Sequence, residues 1–406
     1  MPEAVTVLPP RFDGTDPATM SNPYPVYAKL RAAGPLCRFG PMQYGVTRYA
    51  DVNALMRDPR LHKHLMPEAF YQLVTGRGPA SEFVGQMDSV RGGPAIQQAI
   101  AHEFGPAAIR ARAVRIAAVV DDLVAAMLAA GRADTVAALA RPLPVAVLGE
   151  LLGVPPAERS EVAARVAPLS VLGDAPTAAG RAMEAADAAV LWLRDYFRAL
   201  LRDRARAPRD DLLSGIAAAA DDAAARDRGA DDAIRLLYAG LDTTTSLIAS
   251  GCAALAAHPD QYARLRADPS LAATAVEEFL RYDAPIQTTV RMAREPVQVG
   301  GRSVRAGRVL VLMLGCANHD DRRFHRPDRL DVGRRPNPHL SFGGGPYFCV
   351  GAALARAQAT AVFDRLARGC AALEPDGEPI RAPQFNFRSH QRVPVRLTPS
   401  AGGTRA

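Results

Sequence analysis

One cysteine in this chain lies in a setting that suits chemistry. Cys349 follows the segment 341–348 (SFGGGPYF), and Gly351 comes two residues later, where an alanine-rich stretch predicts a helix. A helix N-terminus and nearby backbone N–H groups lower the pKa of a thiol, so Cys349 could act as a nucleophile or as a metal ligand. A nucleophile would need a histidine base, and this loop contains none, so only a histidine distant in sequence could serve.

Two further groups of residues lie upstream of this loop. Segment 236–249 (LLYAGLDTTTSLIA) predicts an apolar helix whose centre holds weak helix formers. These residues could bond back to carbonyl groups one turn earlier, or they could kink or bulge the helix to make room for a ligand. Further on, Glu278 and Arg281 are three residues apart, so on a helix they share a face and can form an ion pair.

Composition excludes several classes of protein. The five cysteines are scattered without a CxxC pair, which disfavours a disulfide framework and a structural zinc site. The net charge of +7 is carried almost wholly by arginine, since Lys29 and Lys63 are the only lysines. These arginines are spread among acids, which disfavours nucleic-acid binding and suits an acidic protein partner better. No signal peptide and no bilayer-spanning apolar run is visible, so we expect a cytoplasmic protein without a membrane segment.

The elements that must position these residues are mostly helices. Apolar residues recur at three and four positions over much of the chain, whereas strand patterns are confined to 45–49, 296–314 and the tail near 392–399. No linker divides the chain. The pattern therefore predicts a mainly α fold with a smaller β portion, in a single domain over 1–406 with flexible ends at about 1–15 and 400–406.

Three motifs, in order along the chain, resemble the cytochrome P-450 family. The run Phe342-Gly343-x-Gly345-x-x-x-Cys349-x-Gly351 resembles its haem-binding loop, with Cys349 as the axial ligand of the iron. The run Ala239-Gly240-Leu241-Asp242-Thr243 is similar to the oxygen-binding part of its distal helix. Glu278, Arg281 and Arg334 match its structural ion pair and the additional arginine. The resemblance implies a haem b held between a long distal helix and the proximal cysteine loop.

The resemblance also implies which residues contact the cofactor. They are Cys349, Phe342, Gly343, Gly345, Tyr347, Gly351, Arg291, Gln97, Ala239 and Gly240. The resemblance places three basic residues that contact the haem carboxylates in soluble bacterial members at positions that hold Gly93, Gln97 and Tyr347 here. We therefore expect Arg291 to be the main charged anchor, with Gln97 and Tyr347 donating neutral hydrogen bonds.

The activity that the resemblance implies is oxidation of a small organic molecule, in secondary metabolism, by a monomeric monooxygenase. Thr243 would hydrogen-bond the bound dioxygen, and Asp242 would deliver protons. Electrons would come from NAD(P)H through a ferredoxin reductase and an acidic ferredoxin. The ferredoxin would dock near Cys349 on the arginines of the segment before the loop. These arginines are Arg322, Arg323, Arg326, Arg329, Arg334 and Arg335.

Several alternatives remain open at the level of sequence. The candidate substrate contacts are Phe70, Phe83, Met87, Leu236, Ile286, Thr288 and Phe387, although side chains of these types are more often ordinary core than substrate contacts. The same haem could serve an oxidative coupling enzyme without net oxygen insertion, a peroxide-driven relative, or a haem-thiolate sensor without turnover. A thiol hydrolase that uses Cys349 would be distinguished by its lack of colour.

Overall fold

The computed structural model describes residues 9–40, 43–63, 78–85, 93–177 and 181–400. Its α-helices are α1 (Pro17–Ser21), α2 (Tyr24–Ala33), α3 (Tyr49–Leu55), α4 (Pro79–Gly85), α5 (Pro94–Glu103), α6 (Pro106–Ala111), α7 (Ala113–Ala130), α8 (Pro142–Leu152), α9 (Arg159–Val166), α10 (Arg181–Arg206), α11 (Leu212–Ala219), α12 (Ala223–Ala257), α13 (Pro259–Ala267), α14 (Ala272–Tyr282), α15 (Leu314–Ala317) and α16 (Ala352–Gly369). A π-helix spans Val136–Ala140, and short 3₁₀ segments include Ala167–Thr177 and Gly345–Tyr347.

The strands are β1 (Leu36–Gly40), β2 (Gln43–Val46), β3 (Leu61–His62), β4 (Arg132–Asp134), β5 (Thr288–Ala293), β6 (Val297–Val299), β7 (Arg302–Val304), β8 (Val309–Met313), β9 (Cys370–Pro375), β10 (Ile380–Arg381), β11 (His390–Arg392) and β12 (Pro394–Pro399). The largest described sheet has the order β1-β2-β8-β5-β3, and β4-β12-β9 form a second sheet. The mainly α fold with a smaller β portion, expected from the sequence, is confirmed.

The longest described helix, α12, runs through the middle of the helical body. It begins where the Asp222 carboxylate accepts the N–H of Ala225 at 2.6 Å, and it ends just before Pro259. Apolar residues occur around most of its circumference, as expected of a helix buried on several sides. It packs against α8, α10, α14 and α16, so it is held from several directions.

Helix α16 follows the cysteine loop and fixes where that loop lies. It packs against α7 on one side and α14 on another, and α14 carries Glu278 and Arg281. The predicted strand near 45–49 ends at Val46, and α3 begins at Tyr49. The predicted β segment 296–314 forms β6, β7 and β8, with a turn at Gly300 and Gly301, both at positive φ.

The ends of the chain differ in part from the expectation. Residues 1–8 and 401–406 lie outside the described residues. Phe12, inside the segment expected to be flexible, is buried against Tyr27 and Phe39, and its N–H donates to the Arg38 carbonyl at 2.8 Å. Within the described ranges, no helix is long and apolar enough to cross a bilayer.

Candidate active site

The cysteine loop is closed by its own backbone. The Cys349 N–H donates to the Phe342 carbonyl at 2.9 Å, which folds the intervening residues into a tight turn. Gly343 and Gly345 have φ angles of 71° and 64°, in the left-handed region that favours glycine. Two of the glycines that the sequence places before Cys349 are thus required by the conformation of the loop.

The Cys349 side chain lies at the start of α16 and is exposed where it faces a cavity. Burial in the surrounding protein raises the pKa of the thiol. The backbone N–H groups of Gly351 and Ala352 and the charges of Arg356 and Lys63 act in the opposite direction and favour the thiolate. These donors and charges would support a thiolate bound to a metal cation.

A cavity of about 660 Å³ separates the cysteine loop from α5 and α12. Gln97 and Leu236 line it together with Cys349, on different helices. The wall is largely apolar. Its apolar members include Ile100, Ala101, Phe104, Phe348, Val350, Ala352 and Ala353. A thiolate donor, apolar walls and positive charges near the loop fit a haem, which needs an axial ligand, an apolar enclosure and partners for its carboxylates.

Two aromatic rings of the loop each have an arginine guanidinium group over their face. The Arg356 guanidinium carbon lies 4.4 Å from the centre of the Phe342 ring, and that of Arg291 lies 4.6 Å from the centre of the Tyr347 ring. Arg291 is only 2% exposed, which is unusual for an arginine. The structure thus brings Arg291 and Tyr347 together, and their role at one cofactor edge stays a prediction.

Arg356 is held by a carboxylate that the sequence analysis did not single out. Glu277 accepts two hydrogen bonds from Arg356, at 2.7 and 2.9 Å, and lies 3.1 Å from the His339 ring nitrogen. Although burial acts to raise it, hydrogen bonds from His339 and Arg356 lower the pKa of Glu277 to about 2. Arg356 lies in the second turn of α16, the helix that follows Cys349, and this position is the signal that could have singled it out in the sequence.

The centre of α12 is continuous α-helix, so the alternative of a bulged helix is wrong. Thr243 Oγ1 donates to the Ala239 carbonyl at 2.6 Å, and Ser246 Oγ donates to the Asp242 carbonyl at 2.7 Å. Gly240 packs closely against α8, because a Cβ at this position would lie 2.7 Å from Leu148 Cδ1. Ala239 is exposed, although it lies in the middle of this long helix.

Asp242 and Cys349 line two different cavities. This second cavity, of about 460 Å³, is also lined by Arg141, Thr245, Gln384 and His390. Burial raises the pKa of the Asp242 carboxyl, and the charge of Arg141 opposes this shift. Burial also lowers the pKa of His390 to about 4, so this imidazole is neutral near pH 7. Arg141 lies about a hundred residues before Asp242 in the chain, so no local sequence pattern predicts that the two line one cavity.

The structure brings Glu278, Arg281 and Arg334 together. Arg281 donates to both Glu278 oxygens at 2.7 and 2.9 Å, and Arg334 Nε donates to the same carboxylate at 3.0 and 3.1 Å. Glu278 and Arg281 are 0% exposed. Arg281 also donates to the Asn318 and Pro327 carbonyls, which ties α14 to the segment before the cysteine loop.

The predicted substrate contacts are only partly brought together. Phe70 and Met87 lie outside the described residues. Phe83 is buried in the helical core, and Leu236 lines the Cys349 cavity. Ile286 and Phe387 pair through a β-bridge, and the Thr288 hydroxyl donates to Asn386 Oδ1 at 2.9 Å.

The six arginines before the cysteine loop make different kinds of contact. Arg322 pairs with Asp320, Arg335 donates to Thr274 Oγ1 at 2.9 Å, and Arg334 belongs to the Glu278 cluster. Arg323 lies over the Tyr49 ring. Arg326 and Arg329 are exposed, and neither side chain makes an ion pair with any residue in the described ranges.

A cysteine at a helix start, facing a long helix across an apolar cavity, is the arrangement expected of a haem-thiolate protein. Residues 230–387 match the family model described as Cytochrome P450. Two curated relatives are similar over most of their length. Cytochrome P450 monooxygenase PikC of Streptomyces venezuelae is 35% identical, over 97% of this chain and 96% of that protein. Nocardicin C N-oxygenase of Nocardia uniformis subsp. tsuyamanensis is 36% identical, over 92% and 95%.

A solved structure is also similar to this chain over nearly its whole length. The crystal structure of CalO2 superposes with a TM-score of 0.87 at 32% identity, covering 96% of this chain and 100% of that chain. The chain belongs to the cytochrome P450 family and is a haem-dependent monooxygenase that acts on small molecules.

Proposed function

We propose that this monooxygenase oxidises a small organic molecule of secondary metabolism, with Cys349 as the axial ligand of haem b. The observation that carries the proposal is that Cys349 and α12 face each other across one apolar cavity. When bound, the haem supplies the oxidation of substrate by dioxygen. PikC is named as a monooxygenase and its nocardicin relative as an N-oxygenase, which supports oxygen transfer as the reaction.

The proposed role of Asp242 is to hold and deliver a proton. Its carboxyl group lies in the second cavity, and its pKa is raised by burial, which makes it a better proton donor near neutral pH than an exposed aspartate. Thr243, the next residue on α12, would accept the proton from Asp242 and pass it on through its Oγ1 hydroxyl. Its hydroxyl is oriented by the Ala239 carbonyl at 2.6 Å.

The proposed substrate region is bounded by residues after α14 and in the tail. The Phe387 ring packs in a T-shaped arrangement with that of Tyr238 on α12, with ring centres 6.0 Å apart, and Phe387 pairs with Ile286 through a β-bridge. These side chains are apolar or aromatic, so they suit the carbon framework of a substrate.

The electron donor we propose is an acidic ferredoxin, reduced by NAD(P)H through a ferredoxin reductase, because the chain is basic.

Thr243→Ala tests the proposed function. We expect the variant to bind haem and substrate normally but to divert NAD(P)H-derived electrons to peroxide, because proton delivery fails. Product formed, peroxide formed and NAD(P)H consumed are measured together with a ferredoxin system. Ser246→Ala is the matched control, since it removes the same kind of back-bonded hydroxyl from α12. Unchanged coupling in Thr243→Ala would refute the role of Thr243.

The absorption spectrum of the reduced, carbon monoxide-bound protein tests the ligand itself. A Soret band at the long wavelength typical of a thiolate ligand is expected. A haem-free protein, or a spectrum without thiolate character, would overturn the assignment of Cys349.

A further inference from the structure

Arg356 brings a positive charge to the cysteine loop from α16. Its guanidinium lies over the ring of Phe342, whose carbonyl accepts the N–H of Cys349. The charge of Arg356 acts on the Cys349 sulfur and favours its anionic form. Arg356 also lines a third cavity, of about 550 Å³, among α7, α14 and α16. A cation therefore lies between the proposed iron ligand and a solvent-filled groove.

Glu277 fixes this cation in place. Its two carboxylate oxygens accept the Nε–H and Nη2–H of Arg356 at 2.7 and 2.9 Å, which is a side-on, bidentate ion pair. The other partner of Glu277 is His339 Nε2, at 3.1 Å. The N–H of Ser341 donates to His339 Nδ1 at 3.2 Å, so that nitrogen carries no proton and the ring is neutral. Arg356 is thus the cation that balances the charge of Glu277.

The two charges of this pair are not equivalent with respect to Cys349. Arg356 packs on the cysteine loop itself, whereas Glu277, on α14, reaches the loop only through Arg356 and His339. The positive end of the pair therefore faces the loop. Reduction of a haem iron adds one negative charge, which a nearby cation stabilises and a nearby carboxylate destabilises. The two residues should therefore act on the reduction in opposite directions.

We propose that Arg356 and Glu277 are positioning residues that together set the reduction potential of the haem at Cys349, an inference that rests on the haem binding proposed for this chain. Arg356 makes the haem easier to reduce, and Glu277 limits that effect by compensating the charge of Arg356. One electron passes to the iron from the ferredoxin proposed above, and no proton moves at Arg356 or Glu277.

A redox titration of the purified holoenzyme, followed by its absorption spectrum, tests the role of Arg356. We expect the ratio of reduced to oxidised haem at a fixed potential to fall roughly threefold to tenfold in Arg356→Gln, where tenfold corresponds to about 59 mV. Arg356→Lys keeps the charge and should remain close to the wild type. Arg368→Gln is the matched control, because it removes an exposed arginine that is paired with Asp364 on the same helix. An unchanged potential in Arg356→Gln would overturn the proposal.

Glu277→Gln supplies a second test with the opposite sign. The ratio of reduced to oxidised haem at the same potential should rise, by roughly threefold, because the compensating charge is removed while the amide oxygen can still accept from Arg356. A merely structural role would shift both variants in the same direction, so a potential that fell or stayed constant in Glu277→Gln would refute the proposal. This variant decides the question alone if Arg356→Gln does not retain haem.

The reduced, carbon monoxide-bound spectrum of each protein separates failure of this inference from failure of the proposed function. Wild-type protein without haem, or without a thiolate spectrum, would overturn both. Variants that keep the thiolate spectrum but show the wild-type potential would overturn only the role of Arg356 and Glu277.

Discussion

At the scale of single residues, the site depends on how charges are paired around the cysteine loop. Arg356 could bring its positive charge to Cys349 in many orientations, but Glu277 binds it with two hydrogen bonds and so holds it over the Phe342 ring. The same carboxylate contacts His339, in the segment that leads into the loop. Glu277 thus connects α14, α16 and the start of the cysteine loop.

Glu277→Gln should make the stability of the protein less dependent on acid pH. The pKa of Glu277 is lowered in the folded state from near 4.5 to about 2, so its ionised form stabilises the fold above pH 4.5. This stabilisation is lost as the pH falls from about 4.5 toward 2. We expect the variant to be about 1–2 kcal/mol less stable at pH 7, and the difference should shrink on acidification.

Urea unfolding at a series of pH values between 7 and 3 measures this difference. Glu184→Gln, at an exposed position of α10, is the control and should follow the wild type throughout. A gap between Glu277→Gln and the wild type that stays constant with pH would contradict the assigned ion pair.

At the scale of elements, the 3₁₀ segment Ala167–Thr177 and the tail loop between β10 and β11 contact each other near the proposed substrate residue Phe387. The Gln384 side chain donates to the Ser170 carbonyl at 3.3 Å, and that of Asn386 donates to the Gly173 carbonyl at 3.4 Å. Between them the Phe387 ring lies so close to Gly173 that a Cβ there would overlap it. The absence of a side chain at Gly173 therefore sets where Phe387 can lie.

Gly173→Ala should displace Phe387 and weaken this contact between elements. Overpacking of this kind costs about 1–3 kcal/mol, and substrate affinity should change because Phe387 is a proposed contact. Phe387→Leu in the same chain should recover part of the loss. Urea unfolding and the substrate-induced change in the haem spectrum measure the two effects.

Gly215→Ala is the control for that experiment. A Cβ at Gly215 meets nothing closer than 3.8 Å, so this variant should be as stable as the wild type or more stable by up to about 1 kcal/mol. If Gly173→Ala behaved in the same way as Gly215→Ala, Phe387 would not be confined by Gly173.

At the scale of the whole molecule, the surface charge determines which partners can approach. The net charge is +7, but some arginines near the cysteine loop are neutralised within the protein. Arg281 and Arg334, for example, form ion pairs with Glu278. Arg326 and Arg329 in the same segment are exposed. Their charges are therefore available to the acidic ferredoxin that we propose as the electron donor.

Reversing the charge of both should weaken the proposed ferredoxin interaction. We expect Arg326→Glu/Arg329→Glu to raise the KM for an acidic ferredoxin roughly threefold to tenfold at low salt, with a smaller effect at high salt because exposed charges are screened. Arg206→Glu, at an exposed position at the end of α10, controls for net charge. Equal KM values for the double variant and the control would locate ferredoxin docking elsewhere.

The sequence by itself determined the cysteine loop, the long helix and the Glu278–Arg281 spacing, because each is local and leaves a pattern of glycines or of helical periodicity. It also predicted the mainly α fold. The tertiary structure alone placed Glu277 against Arg356 and Asp242 in a cavity shared with Arg141. These pairs join residues far apart in the chain, and only the packing of helices and strands brings such charges within reach of one another.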